Sequence, residues 1–341
     1  MRTTSLLSLS FLSLSLASLS LTVGGCANTE PPAAAASNAS VTSRSASSLE
    51  TFTSGTSGFD THSFWVDTGR EVVVFDAQFT PDLAKEVIAR VREKTQSPIK
   101  WLVVTHPNPD KFNGAPAFQA IGAKVVASKS TAAAIPGVHA YKKGYFVNVA
   151  KSFTEATYPA QASIDVTFDK SFSLPLEGDL SIELRELAHR GVSSTQTVAI
   201  VPRLDAVVVG DLVHHQTHAW LEGGIVDGKA TPDLASWKSA LGELLALGVG
   251  TVYGGRGPAA KVDEAVAEEK AYLDGMNALV TKYVAELGPR KSELDGPNAG
   301  AHYKEIAARA AAAFPGYAHP YLVEYGAYGL VSQVAAGARS K

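Results

Sequence analysis

The chain has 341 residues, of which 45% are hydrophobic and 18% charged, and its formal net charge is −3. This length and apolar fraction suffice for one large domain or two ordinary ones and exclude a disordered chain. The slightly negative charge argues against a nucleic-acid-binding protein, which usually carries a basic excess. A single cysteine excludes an internal disulfide framework and a cysteine-rich zinc module.

The first 25 residues are typical of a secretory leader. Arg2 is the only charge before Glu30, and a stretch rich in Leu and Ser runs to Val23. Residues 23–26, Val-Gly-Gly-Cys, resemble the lipobox of bacterial lipoproteins. The resemblance implies cleavage before Cys26 and lipid attached to its thiol, which would anchor the protein to a membrane on the periplasmic side of the cell envelope. An ordinary secretory leader is the alternative.

Residues 26–58 are predicted to form a disordered tether. The segment consists largely of Ala, Ser, Thr, Asn and Pro, which cannot bury enough apolar surface to order itself. The folded body is therefore expected to begin near Phe59 and to occupy residues 59–341.

The body alternates strands and helices. Two apolar runs separated by Asp67-Thr68-Gly69 predict a hairpin, and Thr80-Pro81 predicts a helix start because a capping hydroxyl precedes a proline. The continuous apolar run Ile99–Thr105 predicts a buried strand. The other predicted elements are a short helix near Ala115–Ala120, strands at Lys124–Ala127, 163–168, 181–187, 196–201, 205–209 and Thr251–Tyr253, and helices beginning at Thr231-Pro232, over Val262–Glu286 and over Tyr303–Phe314. Such an order predicts a layered α/β body with helices covering sheets.

Four polar loops follow predicted strands, where functional side chains are expected. They span residues 105–114, 189–194, 210–212 and 254–257. Between them they contain two histidines, two aspartates and several further polar residues.

The order and spacing of these loops resemble the metallo-β-lactamase superfamily over roughly residues 60–260. The usual pattern there is strand-Asp, His-x-His-x-Asp-His, a lone His, Gly-Asp and Gly-His-Gly. The resemblance implies an αββα sandwich of two mixed β-sheets flanked by helices, with the site at one edge between the sheets. The matching residues in this chain are Asp76, His106, Asn108, Asp110, Lys111, His189, Asp211 and Arg256.

The resemblance also implies a first metal site. The positions that match His106, Asn108 and His189 form this site in the family, and the position that matches Asp211 bridges it to a second one. Two imidazoles and a carboxylate suffice for zinc in hydrolases and for ferrous iron in oxygenases, whereas the Asn108 amide is a weak ligand. One zinc ion is therefore expected rather than two, with Fe²⁺ or no metal as alternatives.

The second metal site is altered in a consistent way. Its family positions correspond here to Asp110, Lys111 and Arg256, so two histidines are replaced by cations that make poor ligands. We hypothesise that these cations neutralise Asp110 and Asp211 where a second dication would lie. In a catalytic site, Asp110 would orient a water molecule or ligate a second metal, and Lys111 or Arg256 would stabilise an oxyanion.

These expectations predict mononuclear, metal-assisted hydrolysis of a small ester, lactone or amide. The alternative is a binding protein that kept the fold and lost its second metal site, and iron-based redox chemistry is a third possibility. The expected partners are a small-molecule substrate and, through Cys26, a membrane; nucleic acid is not expected. The substrate and the oligomeric state stay open.

Residues outside the loops are interpreted more simply. Asp76 is expected to hold the 106–114 loop by hydrogen bonds. The run His214-His215-x-x-His218 offers three imidazoles, but adjacent side chains point in different directions. The tyrosines of 314–328 are spaced for one helix face that packs on the core. The isolated histidines are expected to be structural or exposed, and these are His62, His139, His302 and His319.

Overall fold

The computed structural model describes residues 48–337, whose strands form two mixed six-stranded sheets and a separate hairpin. The first sheet has the spatial order β1-β2-β3-β4-β5-β6, and the second has the order β14-β13-β10-β9-β8-β7. The strands are Glu50–Thr53 (β1), His62–Asp67 (β2), Val72–Phe75 (β3), Ile99–Val103 (β4), Lys124–Ser128 (β5), Val166–Phe168 (β6), Ser171–Ser173 (β7), Glu183–Glu186 (β8), Thr197–Val201 (β9), Ala206–His214 (β10), Gly224–Val226 (β11), Lys229–Thr231 (β12), Thr251–Arg256 (β13) and Ala260–Lys261 (β14). The hairpin pairs β11 with β12.

Helices surround the two sheets. They are Pro81–Lys94 (α1), Pro109–Phe112 (α2), Ala115–Gln119 (α3), Lys129–Gly144 (α4), Leu234–Ala246 (α5), Val262–Leu287 (α6), Ala299–Ala313 (α7), Tyr321–Gly326 (α8) and Tyr328–Gly337 (α9). Shorter 3-10 turns span Thr56–Gly58, Pro202–Leu204 and Gly288–Asp295, and a π-helical turn spans Tyr145–Val149. Within residues 48–337, no helix combines the length and apolarity that a bilayer crossing requires.

The alternation of side chains along the central strands sets the layers. On β3, Val72 and Val74 pack against α1, α3 and α4, whereas Val73 and Phe75 point between the sheets. On β10, Val208 also points between the sheets, and its neighbours pack against α5 and α6. Because successive strand residues face opposite sides, each sheet buries one face on its partner and one on helices. The predicted αββα sandwich of two mixed sheets is confirmed.

Helix α1 shows how the sequence specifies an outer layer. The Thr80 side-chain oxygen accepts a hydrogen bond from the Leu83 backbone N at 3.3 Å, and Pro81 fills the first turn. The buried residues recur at helical spacing and face the first sheet: Leu83, Ala84, Val87, Ile88 and Val91. Capping and an apolar stripe together make this helix predictable from the sequence.

The tether predicted for residues 26–58 is wrong at its carboxyl-terminal end. Strand β1 pairs antiparallel with β2, with Glu50 opposite Trp65, so the folded body begins about nine residues before Phe59. Only Phe52 among the four β1 residues is even half-buried. The strand is therefore ordered by backbone pairing at a sheet edge, which leaves little hydrophobic signal in the sequence. The predictions for residues 1–25 and for Cys26 lie outside the described residues.

Three helical predictions also need correction. Helix α4 was not predicted, because its internal Pro136-Gly137 is typical of a helix end. Helix α5 begins at Leu234 under an Asp233 cap rather than at Thr231-Pro232, because Thr231 belongs to strand β12. The aromatic segment 314–328 is a loop followed by α8 and the start of α9 rather than one helix face, and His319 in the loop has a positive φ of 58°.

Candidate functional site

Polar side chains converge where four central strands end at one edge of the sandwich. Asp76 follows β3, His106 follows β4, Asp211 lies in the last part of β10, and Arg256 ends β13. The pairs β3–β4 and β10–β13 are parallel, so their carboxyl ends meet at the same edge. This is the edge where open α/β sheets place their ligands.

Helix α2 carries two of the charged groups into this edge. Asn108 precedes the helix, Pro109 occupies its first position, and Asp110 and Lys111 follow. Both charged side chains are buried, and Lys111 is fully buried. A single turn of helix therefore places a carboxylate and an ammonium group side by side inside the protein.

A bulge in β10 directs Asp211 to the same place. Gly210 has a φ of +51°, and the register with β13 shifts on both sides of it. A Cβ atom on this glycine would lie 2.3 Å from Oγ1 of Thr105. Only glycine combines this left-handed conformation with so close an approach.

Four charged groups form what we call the central cluster: Asp110, Lys111, Asp211 and Arg256. Lys111 Nζ lies 3.0 Å from Asp110 Oδ2 and 2.8 Å from Asp211 Oδ1. Arg256 approaches the same two carboxylates, with Nη2 3.1 Å from Asp110 Oδ2 and Nη1 2.7 Å from Asp211 Oδ2. Each cation thus bridges both carboxylates, and the formal charges sum to zero.

Neighbouring groups complete the hydrogen bonding of the cluster. The Thr61 hydroxyl donates to Asp110 Oδ2 at 2.8 Å and accepts from Arg256 Nη2 at 2.9 Å. Arg256 Nε donates to the Phe59 carbonyl oxygen at 2.7 Å. All three guanidinium nitrogens are therefore used, so Arg256 is held rigidly.

The electrostatics favour the ionised form of every member. Burial alone would raise the pKa of both aspartates, but Arg256 and Lys111 outweigh it and hold the pKa of Asp211 well below its usual range. The same two cations lower the pKa of Asp110. Conversely, burial opposes the charge on Lys111, yet the two carboxylates raise its pKa. The cluster is thus a set of fixed charges at neutral pH.

Asp76 supports the loop that follows β4, as the sequence predicted. Its Oδ1 accepts hydrogen bonds from the Thr105 backbone N at 3.0 Å and from the Thr105 hydroxyl at 2.9 Å. Burial raises the pKa of Asp76 to about 6, although Lys111, 4.0 Å away, opposes the shift. This carboxylate positions the loop rather than facing the pocket.

His106 reaches the cluster. Its ring is fully buried, with Nδ1 3.0 Å from the Thr105 hydroxyl and Nε2 3.7 Å from Asp211 Oδ2. Nε2 has no hydrogen-bond partner among the described residues. One of the two predicted histidine ligands is therefore in place.

His189 does not reach the central cluster, so the expectation that two imidazoles share the cleft is wrong. The His189 side chain is 51% exposed, and its Nδ1 lies 2.6 Å from Glu243 Oε1 on helix α5. Glu243 also accepts hydrogen bonds from the backbone N atoms of residues 188 and 189. Val192 of the same loop is fully buried instead. Sequence order placed His189 on the correct loop, but the fold turns its side chain to solvent.

The residues present do not fit the metal centre that the resemblance implied. Of the predicted ligand set His106, Asn108, Asp110, His189 and Asp211, only His106 offers a free buried donor atom at the cluster. Both carboxylates are already paired with two cations each. A dication at this position would face the ammonium and guanidinium groups directly and be repelled. The hypothesis that Lys111 and Arg256 neutralise the aspartates agrees with this geometry.

A small cavity of about 30 Å³ lies above the cluster. Its lining combines Asp110, Asp211 and Arg256 with four aromatic residues: Phe59, Phe79, Phe146 and Trp220. Three of these residues also border a larger groove of about 540 Å³, together with Tyr145, Tyr321 and Tyr325. The cluster is thus the polar end of an aromatic-walled opening.

Sequence reasoning missed the residues that shape this opening. Lys142 on α4 forms a buried ion pair with Glu222, and Trp220 Nε1 donates to the same carboxylate at 2.8 Å. Burial and then the charges of Lys111 and Arg256 lower the pKa of His62 to about 4, so this ring is neutral beside the cluster. Lys142 could be assigned to the lining of the cavity only once helix α4 was known, and the sequence did not predict that helix.

The three clustered histidines point to separate partners, as expected for adjacent positions. His214 faces Glu269 and the Trp237 ring, and His218 Nδ1 lies 3.1 Å from the Tyr272 hydroxyl. His215 Nδ1 lies 2.7 Å from Glu268 Oε2. They do not form one site.

Comparisons with known proteins identify similar sequences and folds. The family model described as "Metallo-beta-lactamase superfamily" matches residues 56–256. A solved structure, a metallo-beta-lactamase from Pontibacter korlensis, is 21% identical with a TM-score of 0.49, and the match covers 67% of this chain and 92% of that one. No curated protein matches the chain.

Proposed function

This chain belongs to the metallo-β-lactamase superfamily, and we propose that it is a binding protein in which an ion-pair cluster replaces the metal centre. Members of the superfamily are generally hydrolases and typically bind zinc. The proposal therefore departs from the family's usual chemistry while retaining its fold.

One observation carries the proposal: Lys111 and Arg256 each bridge Asp110 and Asp211. A metal ligand must offer a free lone pair, and neither cation does. The two cations supply the positive charge that buried carboxylates require, so the fold needs no metal at this position for charge balance.

The pocket chemistry favours a small uncharged ligand with an apolar or aromatic body. The four charges of the cluster satisfy one another, so a charged ligand would lose hydration without gaining an unpaired partner. Aromatic walls favour a flat, apolar group, and the adjoining groove of about 540 Å³, which Trp220 also lines, has room for one whereas the 30 Å³ cavity has not. The side chain of Asn108 borders the cavity and makes no hydrogen bond within residues 48–337, so it is available to a polar group of the ligand.

The test is titration with neutral aromatic amides, starting from benzamide, monitored by tryptophan fluorescence. Trp220 is the only one of the four tryptophans that lines the cavity; Trp65, Trp101 and Trp237 lie in the buried core. We expect a saturable change that W220F abolishes and W101F preserves. Saturation that persists in W220F, or no saturation with any amide of the series, would contradict the proposal.

Metal-assisted hydrolysis is the second candidate because His106 Nε2 is buried, 3.7 Å from Asp211 Oδ2, and finds no hydrogen-bond partner between residues 48 and 337. Chromogenic esters and lactams such as 4-nitrophenyl acetate and nitrocefin separate the two functions. The binding protein should turn over neither substrate. Turnover that a chelator removes and that H106Q abolishes would establish the hydrolase instead.

We also propose that the protein is held at the periplasmic side of a bacterial membrane through lipid on Cys26. Support comes from the sequence alone: an apolar leader ending in Val-Gly-Gly-Cys, followed by a polar segment. A small-molecule ligand and a membrane are then the partners.

A further inference from the structure

We propose that His215, Glu264 and Glu268 form a binding site for one divalent transition-metal ion on the helix-covered side of the second sheet. One ligand atom from each residue lies within 4.8 Å of the other two. Within residues 48–337, this is the only such group of at least three histidine, cysteine or acidic side chains.

Two elements bring the ligands together. His215 directly follows strand β10, and Glu264 and Glu268 lie in the first two turns of α6. Residues at positions i and i+4 of a helix share one face, so both carboxylates point the same way. The site thus joins the end of a central strand to the start of the longest described helix.

Within residues 48–337, the three side chains leave ligand atoms without aligned hydrogen bonds. His215 is only 6% exposed, and its Nδ1 lies 2.7 Å from Glu268 Oε2, yet neither atom makes an aligned hydrogen bond in the part of the chain that the structure describes. Glu264 is exposed, and its side chain makes no hydrogen bond or ion pair within the described residues. A buried nitrogen donor therefore already contacts one carboxylate, and a second carboxylate beside it makes no side-chain hydrogen bond or ion pair with a described residue.

The neighbouring pair provides a contrast. His214, one residue before His215, and Glu269, one residue after Glu268, are both buried, and Glu269 Oε2 accepts a hydrogen bond from the His214 backbone N at 2.7 Å. That carboxylate has a clear structural role. Glu268 and Glu264 accept no backbone hydrogen bond from residues 48–337, so their carboxylates are available to a ligand.

The charges of this site favour a dication, whereas the charges of the central cluster repel one. A neutral imidazole and two carboxylates carry two negative charges, and the carboxylates repel each other across one helical turn. A divalent ion would neutralise both. One imidazole with carboxylates and a water molecule is a ligand set that zinc accepts.

The geometry permits coordination with little movement. Zinc–ligand bonds of about 2.0–2.2 Å place tetrahedral ligand atoms about 3.3–3.5 Å apart. Glu264 is exposed and can approach by rotating its side chain. The bound ion would fix the chain after β10 beside Gly257, where a Cβ would lie 2.0 Å from the His215 carbonyl oxygen.

The experiment is calorimetric titration of the purified chain with ZnCl₂. We expect one Zn²⁺ per chain, and at least tenfold weaker binding in E264Q and in E268Q, in line with the roughly 10–100-fold losses seen even for outer-shell partners. The control is D274N, which removes a carboxylate from the same helix outside the triad. E264Q alters an exposed side chain, so its fold should be intact.

The variant H106Q separates this site from the central cluster. The proposal requires that H106Q bind Zn²⁺ as tightly as the unmodified chain. It is overturned if the unmodified chain takes up no Zn²⁺, or if E264Q and E268Q bind it unchanged. Loss of binding in H106Q with full binding in E264Q would place the ion at the central cluster and contradict the proposed function as well.

Discussion

Lys111 shows at the scale of one residue how this fold handles buried charge. Its ammonium group is fully buried and lies within 3.0 Å of two carboxylates. Burying a charge costs several kcal/mol unless it is paired, so the cluster is stable only as a complete set. Removal of one member leaves the others uncompensated.

We therefore expect K111M to lower the free energy of unfolding by about 3–5 kcal/mol, because Asp110 and Asp211 would keep only Arg256 between them. Urea denaturation measures the loss. The control K85M removes an exposed lysine that pairs with Asp82, and it should change stability by less than about 0.5 kcal/mol. If the free energies of unfolding of K111M and the unmodified protein differ by less than about 1 kcal/mol, the charges of the cluster are not closely coupled. A difference of that size is on the order of the experimental scatter.

The contribution of Asp76 to stability changes with pH in the opposite direction to that of the cluster aspartates. Its pKa rises from 3.8 to about 6 on folding, so between these values the folded state retains a proton that the unfolded state has lost. Stability should therefore fall as pH rises from about 4 to 6, by on the order of 3 kcal/mol from this group. Asp110 and Asp211, whose pKa values are lowered, lose their contribution only as pH falls below about 4.

The variant D76N isolates this effect, because asparagine also tolerates the positive φ of 64° at this position. Urea midpoints measured across this pH range should decline in the unmodified chain and stay flatter in D76N. An identical slope in both proteins would assign the pH dependence to other groups.

At the scale of elements, irregularities in strands place the charges. The bulge at Gly210 directs the Asp211 side chain into the cluster. It interrupts the regular alternation of side-chain directions along β10. The capped helix α1 and the hairpin β2–β3 follow local sequence rules and were predicted. The bulge, by contrast, is recognisable only once the pairing of β10 with β13 is known.

G210A should destabilise the protein by more than about 1 kcal/mol, because alanine is strained at a φ of +51° and its Cβ would meet Thr105. The matched control is G242A on helix α5, where an added Cβ meets no atom within 4 Å. That change should stabilise the protein by about 0.5–1 kcal/mol, since alanine is the better helix former. Urea denaturation of both variants tests the contrast, and equal effects would contradict it.

At the scale of the whole molecule, one prediction concerns the location of the protein. If Cys26 is lipidated, a bacterial host should incorporate labelled palmitate into the full chain and retain it in the membrane fraction. C26S should lose both the label and the membrane retention, while the 48–337 body keeps its fold because Cys26 lies outside it. Unlabelled chain in the soluble fraction would indicate an ordinary secretory leader.

The sequence alone determined the superfamily, the opposed charges of the site and most of the element order, with β1, α4 and the β11–β12 hairpin among the exceptions. These features depend on local patterns: a capped amphipathic helix, buried apolar strands, and two basic residues at positions that the family fills with metal ligands. Charge complementarity also holds whatever the detailed geometry, so Lys111 and Arg256 could be matched with Asp110 and Asp211 before any contact was known.

Only the tertiary structure decided which side chains enter the cleft. His189 lies on the predicted loop, yet it turns outward to Glu243 while Val192 fills the core, and no spacing rule distinguishes these two directions. The aromatic walls come from segments as distant as Phe59 and Trp220, and β1 is ordered by pairing rather than by its own apolar residues. The physical reason is common to all three: each depends on a partner far along the chain, and the free energy of that contact does not appear in the local sequence.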